Sequence, residues 1–214
     1  MSIHEMRKSY TLAGLAKSDV DADPMVQFQS WFEEAQQPDL PDWMEVNAMT
    51  LATADTEGKV TSRIVLLKGI EDGRLCFYTN YKSEKGQQIA ANPQVSLCFL
   101  WGHLQRQVRI EGIANQSDRS KSVDYFHSRP RESQLGAHVS RQSSVIDSSQ
   151  TLNEKFSVLE SKYNQQEIPC PDHWGGYEVE PTRFEFWQGR PGRLHDRISY
   201  RRDGEQWQLS RLSP

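Results

Sequence analysis

The sequence predicts a mainly β protein, in which antiparallel strands close into a barrel and α-helices lie on the periphery. Short apolar runs such as "AMTLATAD", "VTSRIVLLKGI" and "LCFYTN" are separated by turn signals, here "TEGK" and "EDGR". Helical segments are few, and they do not alternate with strands as βαβ units would. The 214 residues suffice for one core, so we expect a mobile arm over 1–20 and a single domain over 21–214.

Two helices in the first half carry clear end signals. In "DPMVQFQSWFEEAQQP", Asp23 is a suitable N-cap, Pro24 suits the first turn and Pro38 ends the helix. The three strand-like runs that follow predict an antiparallel meander. After them, "SEKGQQIAANP" predicts a short helix that ends at Asn92 and Pro93.

The second half begins and ends with strands. "QVSLCFLW" and "LQRQVRIEGIANQ" predict two strands, "SDRSKSVDYFHSRPRESQLGAHVSRQ" a helical block and "SSQTLNEKFSVLESKYN" a further helix. The last third predicts strands in "GGYEVEPTRFEFWQG", "RLHDRISYRR" and "QWQLSRL". Asp203 and Gly204 form a hairpin signal between the last two strands.

Composition argues against several classes of protein. A net charge of -4 does not favour nucleic-acid binding. Three cysteines without a C-x-x-C motif suggest neither a disulfide framework nor a zinc site, and we expect no metal. The first residues, "MSIHEMRKSYTLAG", lack an apolar signal core, and no apolar run is long enough to span a membrane. We therefore expect a protein of the reducing cytoplasm.

Several polar segments could hold a phosphate group. In "SRIVLLK", Arg63 and Lys68 flank four apolar residues, a pattern that by itself indicates only a strand emerging into water. The next segment, "YTNYKSEKG", adds a strand-to-helix turn, and helix N-termini with nearby hydroxyls and lysines hold phosphates well. The side chains of this turn that suit a phosphate are Tyr78, Thr79, Ser83 and Lys85.

A second phosphate cradle is predicted in "DYFHSRPRESQLGAHVSRQSS". Tyr125, Arg129 and Ser133 are four residues apart and share a face if helix geometry continues past Pro130. A solvated helix face explains this spacing equally well. The polar pair Gln142 and Ser143 could bind a ring edge or a phosphate, although alone it indicates a loop.

The stretch "RPGRLHDRISYRR" gathers cations on one short strand. If it is extended, Arg193, His195 and Arg197 share one face, because side chains two apart point the same way. Like charges on one face repel, so either water or an anion must lie against them. Upstream, Trp187 could stack on a planar ligand or cap the core. The number of cation clusters suggests two phosphorylated ligands side by side.

These motifs resemble a known family. "RIVLLK", "FYTN", "RQV", "YFHSRPRESQLGAHVSRQSS", "FWQGRPGRLHDR" and the terminal "RLSP" are similar to pyridoxine/pyridoxamine 5'-phosphate oxidase, in order, from about Ser9 to Pro214. The resemblance implies an FMN-binding split β-barrel that is a homodimer with flavin mononucleotide at the subunit interface. It implies oxidation of pyridoxamine 5'-phosphate or pyridoxine 5'-phosphate to pyridoxal 5'-phosphate by O2, with H2O2 and, from the amine, ammonia as further products. That reaction belongs to vitamin B6 cofactor biosynthesis and salvage.

The resemblance also assigns site residues. Flavin contacts are expected at Arg63, Ile64, Val65, Leu66, Leu67, Lys68, Tyr78, Thr79, Lys85, Gln107, Gln142, Ser143, Trp187 and Arg197. Substrate-phosphate contacts are expected at Lys68, Tyr125, Arg129 and Ser133. Arg193 and His195 match residues placed against the substrate ring, and we expect them to act in catalysis. "RKSY", which includes Arg7 and Tyr10, matches an arm that closes over the active site.

One position departs from the family pattern. The turn before Lys85 often carries a second cation, as Ser-Arg-Lys, whereas this chain has Ser83-Glu84-Lys85. We therefore expect one contact to the flavin phosphate to be altered.

Other functions remain open at this level. A related split barrel could be a flavin reductase or a non-catalytic flavin carrier, although the predicted substrate cradle argues against both. A nucleic-acid-binding barrel would use basic residues with stacking aromatics such as Trp101 and Trp187, and the acidic net charge weighs against it.

Overall fold

The fold is that of a computed structural model that describes residues 2–6 and 8–214. Its helices are α1 (Pro24–Ala35), α2 (Glu84–Ala91), α3 (Arg119–Ser128), α4 (Arg131–Val139) and α5 (Ser149–Lys162). Its strands are β1 (Ala48–Ala54), β2 (Val60–Leu66), β3 (Gly69–Glu71), β4 (Arg74–Asn80), β5 (Gln94–Trp101), β6 (Arg106–Gln116), β7 (Trp174–Gln188), β8 (Asp196–Asp203) and β9 (Gln206–Arg211). The prediction of a mainly β protein with peripheral helices is confirmed.

The end signals of the first two helices act as predicted. The Asp23 side chain accepts a hydrogen bond from the main-chain N–H of Met25 at 2.8 Å, and Pro24 occupies the first turn of α1. The helix α2 ends before Asn92, as predicted, and the structure adds an N-cap that was not predicted: Ser83 Oγ accepts a hydrogen bond from Gly86 N. In both cases a side-chain oxygen satisfies an N–H group that the helix itself cannot pair.

The strands form one antiparallel sheet whose order differs from the predicted meander. The hydrogen-bonded order is β2-β1-β5-β6-β7-β4-β3, and β8 and β9 extend from β7. The "EDGR" turn joins β3 to β4 as expected, but β4 pairs with β7 rather than with β2. The meander was wrong because "VTSRIVLLKGI" forms two strands, and pairing with the distant β7 sets the position of β4. The β8–β9 hairpin is confirmed.

Closure of the barrel is a second correction. Within the described residues, no ladder joins β2 to β3 or β4, so the sheet curls around its core without closing. The architecture is therefore a split barrel. One loop, at Leu67 and Lys68, links the two edges, and across it Lys68 N donates to Cys76 O at 2.8 Å.

The apolar side chains form two clusters. The main one fills the barrel with alternate residues of the strands and the buried face of α1, including Phe28, Leu97 and Phe186. A smaller cluster lies outside the sheet beneath α3 and α4, and contains Phe126, Leu135, Ile168 and Trp174. The first cluster holds the fold together, whereas the second fixes two helices against the outer face of β4 and β7.

The N-terminal segment packs on the start of β8. Leu15 is buried and its main-chain N–H donates to Asp196 Oδ2 at 3.0 Å. Arg190 and Arg211 form ion pairs with the same carboxylate. The division into a mobile arm and one domain stays a prediction.

The strand that carries the C-terminal cations is shorter than predicted. Arg193 has a φ of 62° and follows Gly192 at 64°, so the two residues form a left-handed turn, and β8 begins only at Asp196. His195 and Arg197 still alternate with the buried Asp196, as predicted. Arg193 was wrongly placed on their strand because the Pro-Gly pair before it turns the chain.

No helix among the described residues has the length and apolar character needed to cross a membrane.

Candidate functional site

A cavity of about 620 Å³ lies on the outer face of the sheet, between β2, β4 and the helices α3 and α4. It collects polar and aromatic side chains from five separate segments of the chain. The lining residues are Ile64, Val65, Leu66, Lys68, Tyr78, Thr79, Asn80, Lys85, Tyr125, Arg129, Pro130, Ser133, Gly136, Ala137, Ser140, Gln142 and Trp174. Eleven of them are residues that the sequence assigned to the flavin or to the substrate phosphate.

Lys85 supplies a cation at one end of this cavity. It is 8% exposed, and its Nζ donates to Gln142 Oε1 at 2.9 Å and to Thr79 Oγ1 at 3.4 Å. Both partners are neutral. Burial, and then the charge of Arg63, lower the pKa of Lys85, whereas Glu84 raises it. A desolvated ammonium with only neutral protein partners is the arrangement expected of a site that binds an anion.

Arg63 is fixed near Lys85 by hydroxyl groups. Its two terminal nitrogens each donate at 2.6 Å, one to Thr53 Oγ1 and the other to Thr61 Oγ1. Both hydroxyls in turn donate to Oε1 of Gln88 on α2. This network ties the arginine to the helix whose first turn carries Lys85. Burial lowers the pKa of Arg63.

The turn before α2 depends on a glycine. A Cβ at Gly86 would lie 2.3 Å from the main-chain oxygen of Tyr81. Only glycine allows the first turn of α2 to approach the end of β4 so closely. The close approach brings Lys85 and Thr79 to the same side of the cavity.

A second cation lies at the other end of the cavity. The predicted continuous helix is broken, because Arg129 is extended with ψ of 153° and α4 starts after Pro130. Tyr125, Arg129 and Ser133 nevertheless all line the cavity. NH1 of Arg129 is buried and has no hydrogen-bond partner in the described part of the chain, and burial lowers the pKa of this guanidinium. An orphaned buried donor of this kind indicates a missing acceptor.

Aromatic rings form the wall between the two ends. Tyr78 and Tyr125 stack with centroids 3.9 Å apart, and the Trp174 ring lies nearly parallel to both. Burial raises the pKa of Tyr78 to about 12, so its phenol is neutral and can donate a hydrogen bond. The wall therefore offers π faces and O–H groups rather than charge.

Six of the remaining predicted residues form a second group, which we call the C-terminal cluster: Tyr10, Gln107, Trp187, Arg193, His195 and Arg197. Gln107, Trp187 and Arg197 are directly opposed on β6, β7 and β8. The ring of His195 lies 4.6 Å from that of Trp187, and Tyr10 packs edge-on against both. Arg197 forms an ion pair with the buried Glu185.

One chain does not bring the cavity and the C-terminal cluster together. Trp174 and Trp187 lie near opposite ends of the 15-residue strand β7. At about 3.3 Å per residue, that separation is on the order of 40 Å along the strand. None of the cluster's side chains lines the cavity. A ligand that touches both groups must therefore bind between two copies of the chain.

The structure locates the other assigned residues as follows. Leu67 is 5% exposed and packs in the barrel core, so only its main chain is available to a ligand. Ser143 is exposed in the loop after Gln142 and has a φ of 70°. Arg7 lies outside the described residues. The assignment of individual contacts stays a prediction.

Sequence reasoning missed several residues at the site. Trp174 and Asn80 line the cavity, and Glu185 and Asp196 hold the arginines near the C-terminal cluster. Trp174 precedes two glycines, and a Cβ at Gly175 would lie 2.1 Å from the Tyr81 hydroxyl. Paired glycines at a strand start signal close packing, and this signal could have marked the segment.

Two family models match the chain. The one described as "Pyridoxamine 5'-phosphate oxidase" matches residues 32–163, and the one described as "Pyridoxine 5'-phosphate oxidase C-terminal dimerisation region" matches residues 174–214. The first range contains most of the cavity. The second contains Trp187, Arg193, His195 and Arg197 of the C-terminal cluster.

Curated relatives agree along the whole chain. Proteins named pyridoxine/pyridoxamine 5'-phosphate oxidase from Rhodopirellula baltica and from a Cyanothece species are 57% and 50% identical to it. Each alignment covers 100% of this chain, and 97% and 99% of the relative, respectively.

Solved structures agree with this fold. PhzG from Burkholderia lata, in complex with tetrahydrophenazine-1-carboxylic acid, has a TM-score of 0.86 at 27% identity, over 94% of this chain and 98% of that one. A pyridoxamine 5'-phosphate oxidase-related, FMN binding protein from Nostoc punctiforme has a TM-score of 0.68 at 16% identity, over 91% of this chain and 100% of that one, and supports the fold alone. Two family models and full-length relatives at 50% identity or more lead to one conclusion: the chain belongs to the pyridoxamine 5'-phosphate oxidase family.

Proposed function

We propose that this chain is an FMN-dependent oxidase that converts pyridoxamine 5'-phosphate or pyridoxine 5'-phosphate into pyridoxal 5'-phosphate. Dioxygen accepts the two electrons and leaves as H2O2, and the amine substrate also releases ammonia. The observation that carries the proposal is a pair of desolvated cations, Lys85 and Arg129, which line one aromatic-walled cavity and form no ion pair with a carboxylate among the described residues. Arg63 is not part of the lining, but its charge acts on Lys85. Two phosphate esters side by side would supply the missing anions.

Lys85 and Arg63 are the side chains that would hold the phosphate of FMN. An anion there would replace the neutral Gln142 oxygen as a partner of Lys85 and offset the repulsion between the two cations. The first turn of α2 adds the positive end of a helix to the same place. When bound, FMN supplies the redox chemistry, since its isoalloxazine ring accepts a hydride from the substrate's 4' carbon.

Arg129, Tyr125 and Ser133 are the side chains that would hold the substrate phosphate. The buried, unpartnered NH1 of Arg129 needs one strong acceptor, and the hydroxyl groups of Tyr125 and Ser133, which line the same cavity, can donate to the same phosphate. The anchor is remote from the reacting carbon, so its binding energy serves to orient the ring. The chain itself needs no nucleophile for this reaction.

The C-terminal cluster would complete the site from a second subunit. Arg193 and His195 would lie against the substrate ring, and Trp187 and Arg197 against the flavin. This arrangement requires a homodimer, and the matched dimerisation region covers these four residues. Exposed apolar side chains at Ile64 and Leu100, 63% and 70% accessible, are surfaces that such a dimer would cover.

Subunit mixing tests the shared site. Arg129→Ala removes a cavity residue, and the double change Arg193→Ala with His195→Ala removes cluster residues. Each homodimer should be nearly inactive. In a mixed dimer one site combines both sets of substitutions and the other site is intact. When equal amounts re-associate, half of the dimers are mixed, so about a quarter of wild-type activity should be recovered. No recovery, in a sample where native mass spectrometry finds mixed dimers, would refute a site built from two chains.

A direct assay tests the reaction. The protein is loaded with FMN and given pyridoxamine 5'-phosphate, and aldehyde and peroxide are measured together. Equal amounts of both products are expected. A yellow protein that makes neither product would be a flavin carrier. A colourless protein that retains nucleic acid would favour the alternative of a nucleic-acid-binding barrel. The structure argues against one of the stacking residues of the nucleic-acid-binding alternative, because Trp101 is 2% exposed and lies in the core.

Cytoplasmic location is part of the proposal. Cys76, Cys98 and Cys170 are all free thiols, as is usual in a reducing compartment.

A further inference from the structure

Arg129 has an aromatic support beneath it. The guanidinium carbon lies 4.6 Å from the centroid of the Trp174 ring, whereas Phe126 is farther away, at 5.8 Å. Trp174 is 6% exposed, so the ring is closed to water. A cation over a desolvated indole face is attracted by the quadrupole of the ring, and tryptophan gives the strongest such contact.

The position of Trp174 is itself fixed on its far side. Its residue is paired with Asn80 across β4 and β7. Its main-chain oxygen accepts a hydrogen bond from Arg119 at 2.8 Å, and Arg119 also donates to Cys170 O. Asn80 also lines the cavity, but all of these partners are protein groups, so the main chain of Trp174 keeps its place independently of any ligand.

Arg129 has little else to hold it. Its residue is extended between α3 and α4, with Pro130 behind it. No carboxylate forms an ion pair with it among the described residues, and its NH1 is buried without a partner. A free guanidinium would turn toward water to recover its hydration. The indole face offsets part of that lost hydration and keeps the planar group aimed into the cavity.

We propose that Trp174 is a positioning residue that keeps Arg129 pointed at the substrate phosphate, and that it thereby sets the preference for phosphorylated over unphosphorylated ligands. The inference rests on the proposed function and adds a residue and a source of specificity to it. Trp174 would not touch the reacting carbon. Its effect would pass entirely through the guanidinium.

The test compares pyridoxal 5'-phosphate with pyridoxal on the FMN-loaded enzyme. Trp174→Leu should weaken binding of the phosphorylated ligand roughly 3- to 30-fold and leave pyridoxal within a factor of about two. Trp174→Phe retains a ring face and should give a smaller loss, again for the phosphorylated ligand only. In an Arg129→Lys background the same changes should cost less, since lysine keeps the attraction of its charge to the ring but has no planar group to stack on it.

Ile168→Ala is the matched structural control. Ile168 belongs to the same small apolar cluster and is 1% exposed, so its truncation loosens the surroundings but leaves the indole in place. It should lower the midpoint of thermal unfolding without changing the ratio of the two affinities. If Trp174→Leu does not fold, the Trp174→Phe variant and its coupling to Arg129→Lys decide the question.

Three outcomes would overturn the proposal: equal losses for both ligands, an altered ratio in Ile168→Ala, or losses that persist unchanged in the Arg129→Lys background. Failure of the proposed function is distinct, because the wild-type enzyme would then neither prefer pyridoxal 5'-phosphate nor oxidise pyridoxamine 5'-phosphate. If the wild type does both, and Arg129→Ala removes the preference while Trp174 changes do not, only the inference about Trp174 fails.

Discussion

The main-chain N–H of Arg190 donates a hydrogen bond to Nδ1 of His195 at 3.1 Å. Because Nδ1 accepts, the neutral imidazole carries its proton on Nε2. The loop before β8 therefore sets the tautomer, and the free side of the ring presents a donor. In the proposed site that donor would meet an electron-rich oxygen of the substrate.

His195→Gln and His195→Asn separate the two nitrogens. A glutamine amide reaches the position of Nε2 and can still donate there, whereas asparagine reaches only the position of Nδ1. We expect kcat/KM for pyridoxamine 5'-phosphate to be about three- to tenfold higher in the Gln variant than in the Asn variant, the value of one neutral hydrogen bond. Flavin affinity is the control and should match in both. Equal activities would mean that Nε2 donates to nothing in the reaction.

Arg193 should affect turnover more than folding. The structure gives it no hydrogen bond or ion pair within the described residues, and alanine should adopt its left-handed φ of 62° as readily as arginine does. Stability should shift by about 0.5 kcal/mol or less. Loss of a hydrogen bond to a charged or electron-rich ligand should lower kcat/KM roughly ten- to a hundredfold or more, and lysine should restore only part of it. Thermal unfolding, flavin affinity and kinetics are measured on one preparation. Near-normal kinetics, or a loss explained by lost flavin, would contradict the assignment.

Glu84 should weaken flavin binding while stabilising the helix that carries it. Its exposed carboxylate lies in the first turn of α2, interacts electrostatically with Arg63 and Lys85, and makes no hydrogen bond or ion pair in the described structure. Glu84→Arg should tighten FMN binding by up to about fivefold, since an exposed charge pair is worth roughly 0–1 kcal/mol. The same change should reduce the stability of the flavin-free protein by about 0.3–1 kcal/mol through the helix dipole. Ala90→Arg, exposed at the other end of α2, should do neither. Weaker FMN binding in Glu84→Arg would reveal an unidentified partner of Glu84.

FMN should stabilise the protein more than riboflavin does. At a hundredfold excess over the dissociation constant, a ligand adds about 2.7 kcal/mol, which raises the unfolding midpoint by about 5–10 °C in a chain of this size. Riboflavin leaves the two cations without an anion and should give a clearly smaller shift at equal concentration. Lys85→Met should erase the difference, whereas Lys82→Met, an exposed lysine on the same turn, should retain it. Equal shifts for the two flavins in the wild type would exclude a phosphate at Lys85.

Stability in alkali should depend on Tyr200. The side chain is fully buried, its hydroxyl donates to Asp21 O at 2.6 Å, and burial, followed by Asp21 and Asp23, raises its pKa to about 12. An unfolded tyrosine ionises near pH 10. Between pH 10 and 12 the tyrosine of the unfolded state therefore loses its proton first. The free energy of unfolding decreases as the pH rises, so the protein becomes less stable. Urea unfolding at pH 9.5 and 11.5 should show that the free energy of unfolding decreases less between these pH values in Tyr200→Phe than in the wild type. An equal decrease in the variant and the wild type would mean that other groups cause the loss of stability in alkali.

Local signals predicted the elements well and their arrangement poorly. The start of α1 followed from Asp23 and the end of α2 from Asn92 and Pro93, because caps and helix-breaking residues act over a few positions of the chain. Pairing of β4 with β7 joins Leu75 to Val179, and nothing near either residue signals the other. The predictions of a closed barrel and of a meander were wrong for that reason.

The same contrast between local signals and long-range contacts holds for the candidate site. Residues inside recognisable motifs, such as Lys85 and Arg129, were found in the cavity. Trp174 and Glu185 were missed because their importance lies in what they contact, an arginine from another segment of the chain in each case. Arg193 was misplaced because strand periodicity does not survive a left-handed turn.

The long strand β7 has a consequence for how the protein acquires its cofactor. Trp174 joins the cavity only when β7 pairs with β4, whose residues are about a hundred positions earlier in the chain. Contacts of such high sequence separation form slowly and close large loops. The flavin therefore meets a finished cavity and cannot template the early steps of folding. Bound flavin should slow unfolding while leaving the rate of refolding almost unchanged.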